Sequence, residues 1–85
     1  MADILIIEDD RMVGLLIKET LVAAGHGVRL ADNGVAGLDL LEKHGADLVI
    51  TDIVMPEMDG LEAINRLREK HPDLRVLAIS GGGRW

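Results

Sequence analysis

Acidic residues recur where strand-like runs stop. Glu8, Asp9 and Asp10 follow the apolar run Ile4–Ile7, and Asp52 follows Leu48–Val49–Ile50–Thr51. A further run, Val76–Leu77–Ala78–Ile79, stops at Ser80 and Gly81. If the first and third of the chain's strands are neighbours, Asp9 and Asp52 project into one pocket, because adjacent strands lie about 4.8 Å apart. Two carboxylates about 5 Å apart repel by roughly 3 kcal/mol at an effective dielectric of 20. Three ionised acids there need compensation. Either one takes up a proton, or a divalent cation sits among them. All-oxygen ligation of this kind suits Mg²⁺ or Mn²⁺ with several waters retained. The remaining polar residues have plainer roles. Asp10 and Asp59 read as helix caps. Ser80 alone is a turn residue or a polar contact in the pocket. Gly81–Gly82–Gly83 could cradle a phosphate with backbone N–H groups, but without a following Lys-Ser/Thr the run reads as a loop. The three histidines are far apart in sequence, have no metal-ligand spacing and read as surface residues.

Those acids need a frame. Ile4–Ile7 is short, apolar and rich in β-branched residues, as suits a strand buried on both faces. From about Arg11 to Ala24 the period becomes helical, with Val13, Leu16, Ile17, Thr20, Leu21 and Ala24 on one stripe. Asp9 or Asp10 supplies the N-cap and Gly25 follows the last turn. Gly14 inside this helix costs about 1 kcal/mol relative to Ala. His26–Ala31 is a second strand, alternating as a sheet edge does. Val35, Leu38 and Leu41 mark a short second helix that ends near His44 and Gly45. Leu48–Thr51 is the third strand. A third helix runs from about Asp59 to Lys70 with Leu61, Ile64 and Leu67 inward, and Pro72 stops it. Val76–Ile79 is the fourth strand. The β-α-β-α-β-α-β order with short connections implies a parallel sheet with helices on its faces. Ligands of such sheets bind at the carboxyl ends of the strands.

Composition narrows the function. The chain has 85 residues, a net charge of −6 and a sequence pI of about 4.8, which opposes nucleic-acid binding by this segment. Hydrophobic residues make up 48%, with one Trp, no Phe and no Tyr, so the core is aliphatic. There is no cysteine, and no apolar run approaches the roughly 20 residues of a membrane span. A cytoplasmic location without membrane contact is expected.

The segments ILIIEDD, DLVITDIVMPEMDG and VLAISGGG, in that order and spacing, resemble the receiver domain of two-component response regulators. The resemblance covers essentially the whole chain as one domain, residues 1–85. It implies an α/β, flavodoxin-like, doubly wound parallel sheet with strand order 2-1-3-4. It implies that Asp52 accepts a phosphoryl group from a sensor histidine kinase or phosphotransfer protein. Glu8 and Asp9 then match the acidic pair for Mg²⁺ (or Mn²⁺), Asp9 as the direct ligand and Glu8 through water, with Asp52 in the same metal set and the Val54 backbone carbonyl as the third protein ligand. Pro56 and Gly60 match the residues that shape the following loop. Ser80 matches the switch residue that turns toward the phosphoryl group, and the Gly81 N–H adds a hydrogen bond to it. Such a domain is a switch that catalyses at most its own phosphorylation and dephosphorylation. The competing reading is a truncated, self-associating receiver fragment with impaired phosphotransfer; a Mg²⁺-dependent phosphoryl-transfer enzyme is a third, disfavoured by the lack of an Asp-x-Asp motif at Asp52.

The resemblance also implies parts beyond Trp85: a fourth helix, a fifth strand ending in a lysine, and a fifth helix. Lys18, Lys43 and Lys70 lie within or at the ends of helices that lead away from the pocket, so none replaces that lysine. The expectation is a C-terminally incomplete receiver, a piece of a longer protein, whose open fourth-strand edge promotes self-association.

Overall fold

The computed structural model describes residues 1–52 and 60–79, and for residues 60–64 the backbone helix alone. Strands β1 (Asp3–Ile7), β2 (Gly27–Ala31), β3 (Leu48–Asp52) and β4 (Arg75–Ile79) alternate with helices α1 (Arg11–Ala23), α2 (Gly34–His44) and α3 (Gly60–Lys70). All neighbouring strands run parallel, in the order β2-β1-β3-β4. This is the flavodoxin-like, doubly wound arrangement expected from the sequence, with β2 at one edge and β4 at the other.

Central strands of such a sheet are covered on both faces, so β1 and β3 need apolar residues at every position rather than alternate ones. Leu5, Ile7 and Val49 pack with Leu41 of α2 and Leu67 of α3 on one face. Ile4, Ile6 and Ile50 pack with Ile17 and Leu21 of α1 on the other. The edge strands are more open: β2 buries fully only Ala31, and Leu77 of β4 is 52% exposed.

Both described N-caps follow from short polar side chains that replace missing helical acceptors. The Asp10 carboxylate accepts the N–H groups of Met12 and Val13 at 3.0 and 3.2 Å. Asn33 Oδ1 accepts the Ala36 N–H at 2.8 Å. Gly25 and Gly45 take positive φ, +95° and +69°, where the chain leaves α1 and α2. Asp59 lies outside the described residues.

Two helix faces depart from the sequence reading. Along α1 the contact line is Gly14–Ile17–Leu21, so Thr20 and Ala24 face solvent and Leu16 is 59% exposed. Along α2 the buried residues are Gly34, Gly37 and Leu41, and Val35 is 60% exposed. The cause is how closely the helices approach the sheet. A Cβ on Gly14 would lie 2.9 Å from Leu30 Cδ1, and one on Gly37 would lie 2.6 Å from Ile7 Cγ1. Those glycines occupy the contact face, where an apolar count gives them no weight. Gly14 is therefore a packing requirement and not merely a weak point of the helix. Of the α3 residues expected inward, Leu67 is fully buried, while the side chains of Leu61 and Ile64 lie outside the described set.

Candidate functional site

Strand register brings the acids together. Ile7 pairs with Thr51, the last aligned pair between β1 and β3. The next residue along each strand direction is Glu8 on one side and Asp52 on the other. Glu8 also extends the ladder toward β2, its N–H reaching the Ala31 carbonyl at 2.9 Å. In parallel neighbours these positions sit side by side, one strand spacing apart. Asp9 follows at the turn into α1. One carboxylate oxygen from each of Glu8, Asp9 and Asp52 lies within 4.8 Å of the others. Asp52 is itself the last residue of β3 and not the residue after it.

Burial makes this cluster costly. Glu8 is 1% exposed and Asp52 2% exposed, while Asp9 reaches solvent. Glu8 Oε1 accepts the Asp10 backbone N–H at 3.1 Å, whereas Oε2 is buried with no hydrogen-bond partner among the described residues. Burial pushes the Glu8 carboxyl from the usual carboxylate range up to about 7. The Asp10 N–H works against that rise, while the charge of Asp52, a side-chain hydrogen bond to Asp52 and the charge of Asp9 add to it. A divalent cation would supply what this set lacks: positive charge between three anions and a partner for Glu8 Oε2. Three hard oxygen donors suit Mg²⁺. The residues present fit the ion.

The cluster opens onto a groove of about 530 Å³ between α1 and α2, lined by Glu8, Asp9, Arg11, Leu30, Asp32 and Asp39 among others. Arg11, which the sequence reading did not single out, is the base on that groove's lining. Its signal was its position, directly after three acids at a helix start. The lysines stand elsewhere. Lys43 pairs with Asp39 at 3.0 Å and Lys70 with Glu42 at 3.1 Å. Both are exposed pairs of small energetic weight.

Val54, Ser80 and Gly81 lie outside the described residues, as do Pro56 and Gly82. The histidines are not uniformly surface residues. His44 is exposed, but His26 Nδ1 accepts the Ala2 N–H at 3.0 Å, and His71 Nε2 is buried 4.0 Å from Glu42 Oε1. None of them lies in the acidic cluster. Among the described residues no helix is long and apolar enough to cross a membrane.

Comparisons with known proteins agree with this geometry. The family model for the response regulator receiver domain matches residues 4–84. The chain is similar to the response regulator receiver protein CpdR of Brucella abortus (strain 2308), 41% identical over 81 residues, covering 95% of this chain and 68% of CpdR. It is 39% identical over 77 residues to the response regulator MprA of Mycobacterium sp. (strain KMS), covering 91% of this chain but 34% of MprA. The chain thus spans about two thirds of one relative and one third of the other. Among solved structures, it resembles the response regulator TrrA of Thermotoga maritima in complex with Mg²⁺-BeF, with TM-score 0.85 and 36% identity over 89% of this chain and 66% of that one. TrrA in complex with the histidine kinase ThkA superposes with TM-score 0.90 and 32% identity, covering 100% of this chain and 73% of that one.

Proposed function

This chain belongs to the response regulator receiver domain family of two-component signalling, and on that premise we propose that Asp52 is its phospho-acceptor. The observation that carries the assignment is the meeting of Glu8, Asp9 and Asp52 within 4.8 Å at the carboxyl ends of adjacent strands. Asp52 is the member of that set that lies within a strand, as the last residue of β3.

In the reaction, an Asp52 carboxylate oxygen attacks the phosphorus of a phosphohistidine on a partner histidine kinase or phosphotransfer protein. The O–P bond forms as the P–N bond breaks, and the leaving imidazole takes the electron pair and is protonated. Glu8, Asp9, Asp52 and the Val54 carbonyl would hold Mg²⁺, and Mn²⁺ suits the same oxygen donors. The bound ion supplies charge neutralisation that lets the anionic phosphoryl group approach an anionic pocket. Glu8 gives up its proton when it joins that set. Thr51 and the rest of β3 keep Asp52 in register. Ser80 and the Gly81 N–H would contact the phosphoryl group and carry its presence into the segment after β4.

On this reading the domain is a switch and not an enzyme for a separate substrate; it transfers at most its own phosphoryl group. It works in the cytoplasm, with no role for nucleic acid or membrane in this segment. The exposed Leu77 on edge strand β4 supports self-association of the 85-residue chain. Light scattering should show a dimer or larger species, and a well-folded monomer would sink that part of the proposal. For the central assignment, the chain is incubated with Mg²⁺ and acetyl phosphate or beryllofluoride and examined by mass or NMR. One adduct on the wild type and none on Asp52→Asn is the expected result. A folded wild type without adduct, or an Asp52→Asn variant that still forms one, overturns it.

A further inference from the structure

We propose that Asp10 is a positioning residue for the cation site: it caps α1 with its side chain and pins Glu8 with its backbone N–H. The start of α1 and the oxygens of the acidic cluster are therefore set by one residue. This inference rests on reading Glu8, Asp9 and Asp52 as the cation site.

Three contacts support it. The Asp10 carboxylate accepts the N–H groups of Met12 and Val13 at 3.0 and 3.2 Å. The Asp10 N–H donates to Glu8 Oε1 at 3.1 Å. The Asp10 carbonyl accepts the Gly14 N–H at 2.9 Å, the first bond of the helix. The backbone at Asp10 is extended, φ −81° and ψ 107°, as an N-cap requires. That conformation also turns its N–H back toward the preceding acids.

A glutamate has three side-chain torsions, and holding it on a cation costs rotamer entropy. Pinning Oε1 removes part of that cost beforehand and leaves Oε2, which is buried and which no backbone N–H holds, as the oxygen to face the ion or a water on it. Gly14 keeps the arrangement tight, since even a Cβ added there would reach to 3.7 Å from Glu8 Cβ. The first turn of α1 thus lies against the residue it helps to hold. Loss of the cap lets the turn at Asp10 swing and releases Oε1. By linkage, a cation that favours the pinned Glu8 must in turn favour the capped helix start.

The test uses the full chain and Mg²⁺ alone. Calorimetric titration at pH 8 compares wild type with Asp10→Ala and Asp10→Asn. Asp10→Ala should bind Mg²⁺ about 3- to 10-fold more weakly. Asp10→Asn retains a capping oxygen and should bind within about twofold of wild type. In the wild type, Mg²⁺ should slow hydrogen exchange at the Met12 and Val13 amides and leave the Ala36 amide, capped by Asn33, unchanged. A folded Asp10→Ala chain with wild-type affinity overturns the inference. If that variant fails to fold, the exchange measurement decides, and unchanged protection at Met12 and Val13 overturns it. A folded wild type that binds no Mg²⁺ overturns the reading of the cation site itself, which separates the two failures.

Discussion

The two ends of the sheet both carry acids, and they treat them in opposite ways. At the amino end, Asp3 and Asp47 are exposed and tied into backbone bonding. Asp47 Oδ2 accepts the Asp3 N–H at 2.8 Å, and the Asp47 N–H reaches the Asp3 carbonyl at 2.7 Å. His26 accepts the Ala2 N–H beside them. A groove of about 420 Å³ lies there too, lined by Asp47, His71 and Asp73 among others. At the carboxyl end, Glu8 and Asp52 are buried side by side, and Glu8 Oε2 has no partner among the described residues. Satisfied acids at one end fasten strands. Buried, crowded carboxyls at the other store electrostatic energy that a cation releases. A cavity of similar size at each end shows that concavity alone does not mark the site; the difference lies in how deeply the acids are buried and how closely they crowd one another.

The largest test of this contrast is Asp52→Asn. It should abolish the phosphoryl or beryllofluoride adduct and remove one of the crowded charges, raising the stability of the metal-free chain. Denaturant unfolding without Mg²⁺ checks the second part, and a less stable variant would break the contrast.

Next comes pH. Glu8 binds its proton more tightly in the folded chain, up to about 7, than in an unfolded one at 4.5. Its contribution is therefore fully present below the unfolded value and is lost as pH rises from 4.5 through about 7. Without Mg²⁺ that loss is on the order of 3 kcal/mol by pH 8. Glu8→Gln should flatten this segment of the stability–pH curve. It should also weaken Mg²⁺ binding, which in the wild type strengthens through the same window as Glu8 ionises. A wild-type curve that stays flat between pH 4.5 and 8 without Mg²⁺ contradicts the burial argument.

At the amino end the effects should be smaller and confined to stability. Asp47→Ala removes one acceptor from a half-open bond and should cost about 1 kcal/mol in denaturant unfolding. Its Mg²⁺ affinity should match wild type. A weakened affinity would mean that the two ends of the sheet are coupled. Smallest of all, Lys70→Ala removes an exposed pair with Glu42 and should change stability by no more than about 0.5 kcal/mol.

Much of this was legible in the chain. Buried strands announce themselves by short runs rich in β-branched and other aliphatic residues, and an acid ending such a run is a local anomaly, so Glu8, Asp9 and Asp52 stood out without any contact information. The cap at Asp10 lies at a helix start that the sequence marks. The helix faces were less legible. Leu16 and Val35 carry the apolar period, yet Gly14 and Gly37 face the sheet, because the separation of helix and strand is fixed by Leu30 and Ile7 from other segments.

Sequence by itself determined the alternation of strand and helix, the aliphatic core and the acids at the strand ends, since each depends on neighbours a few residues away. Tertiary structure alone decided that Glu8, next past Ile7, stands beside Asp52, next past Thr51. It also decided that burial lifts the Glu8 carboxyl to about 7. Those properties belong to distances between segments remote in the chain, and electrostatic energy depends on such distances and on exclusion of water, neither of which a local pattern encodes.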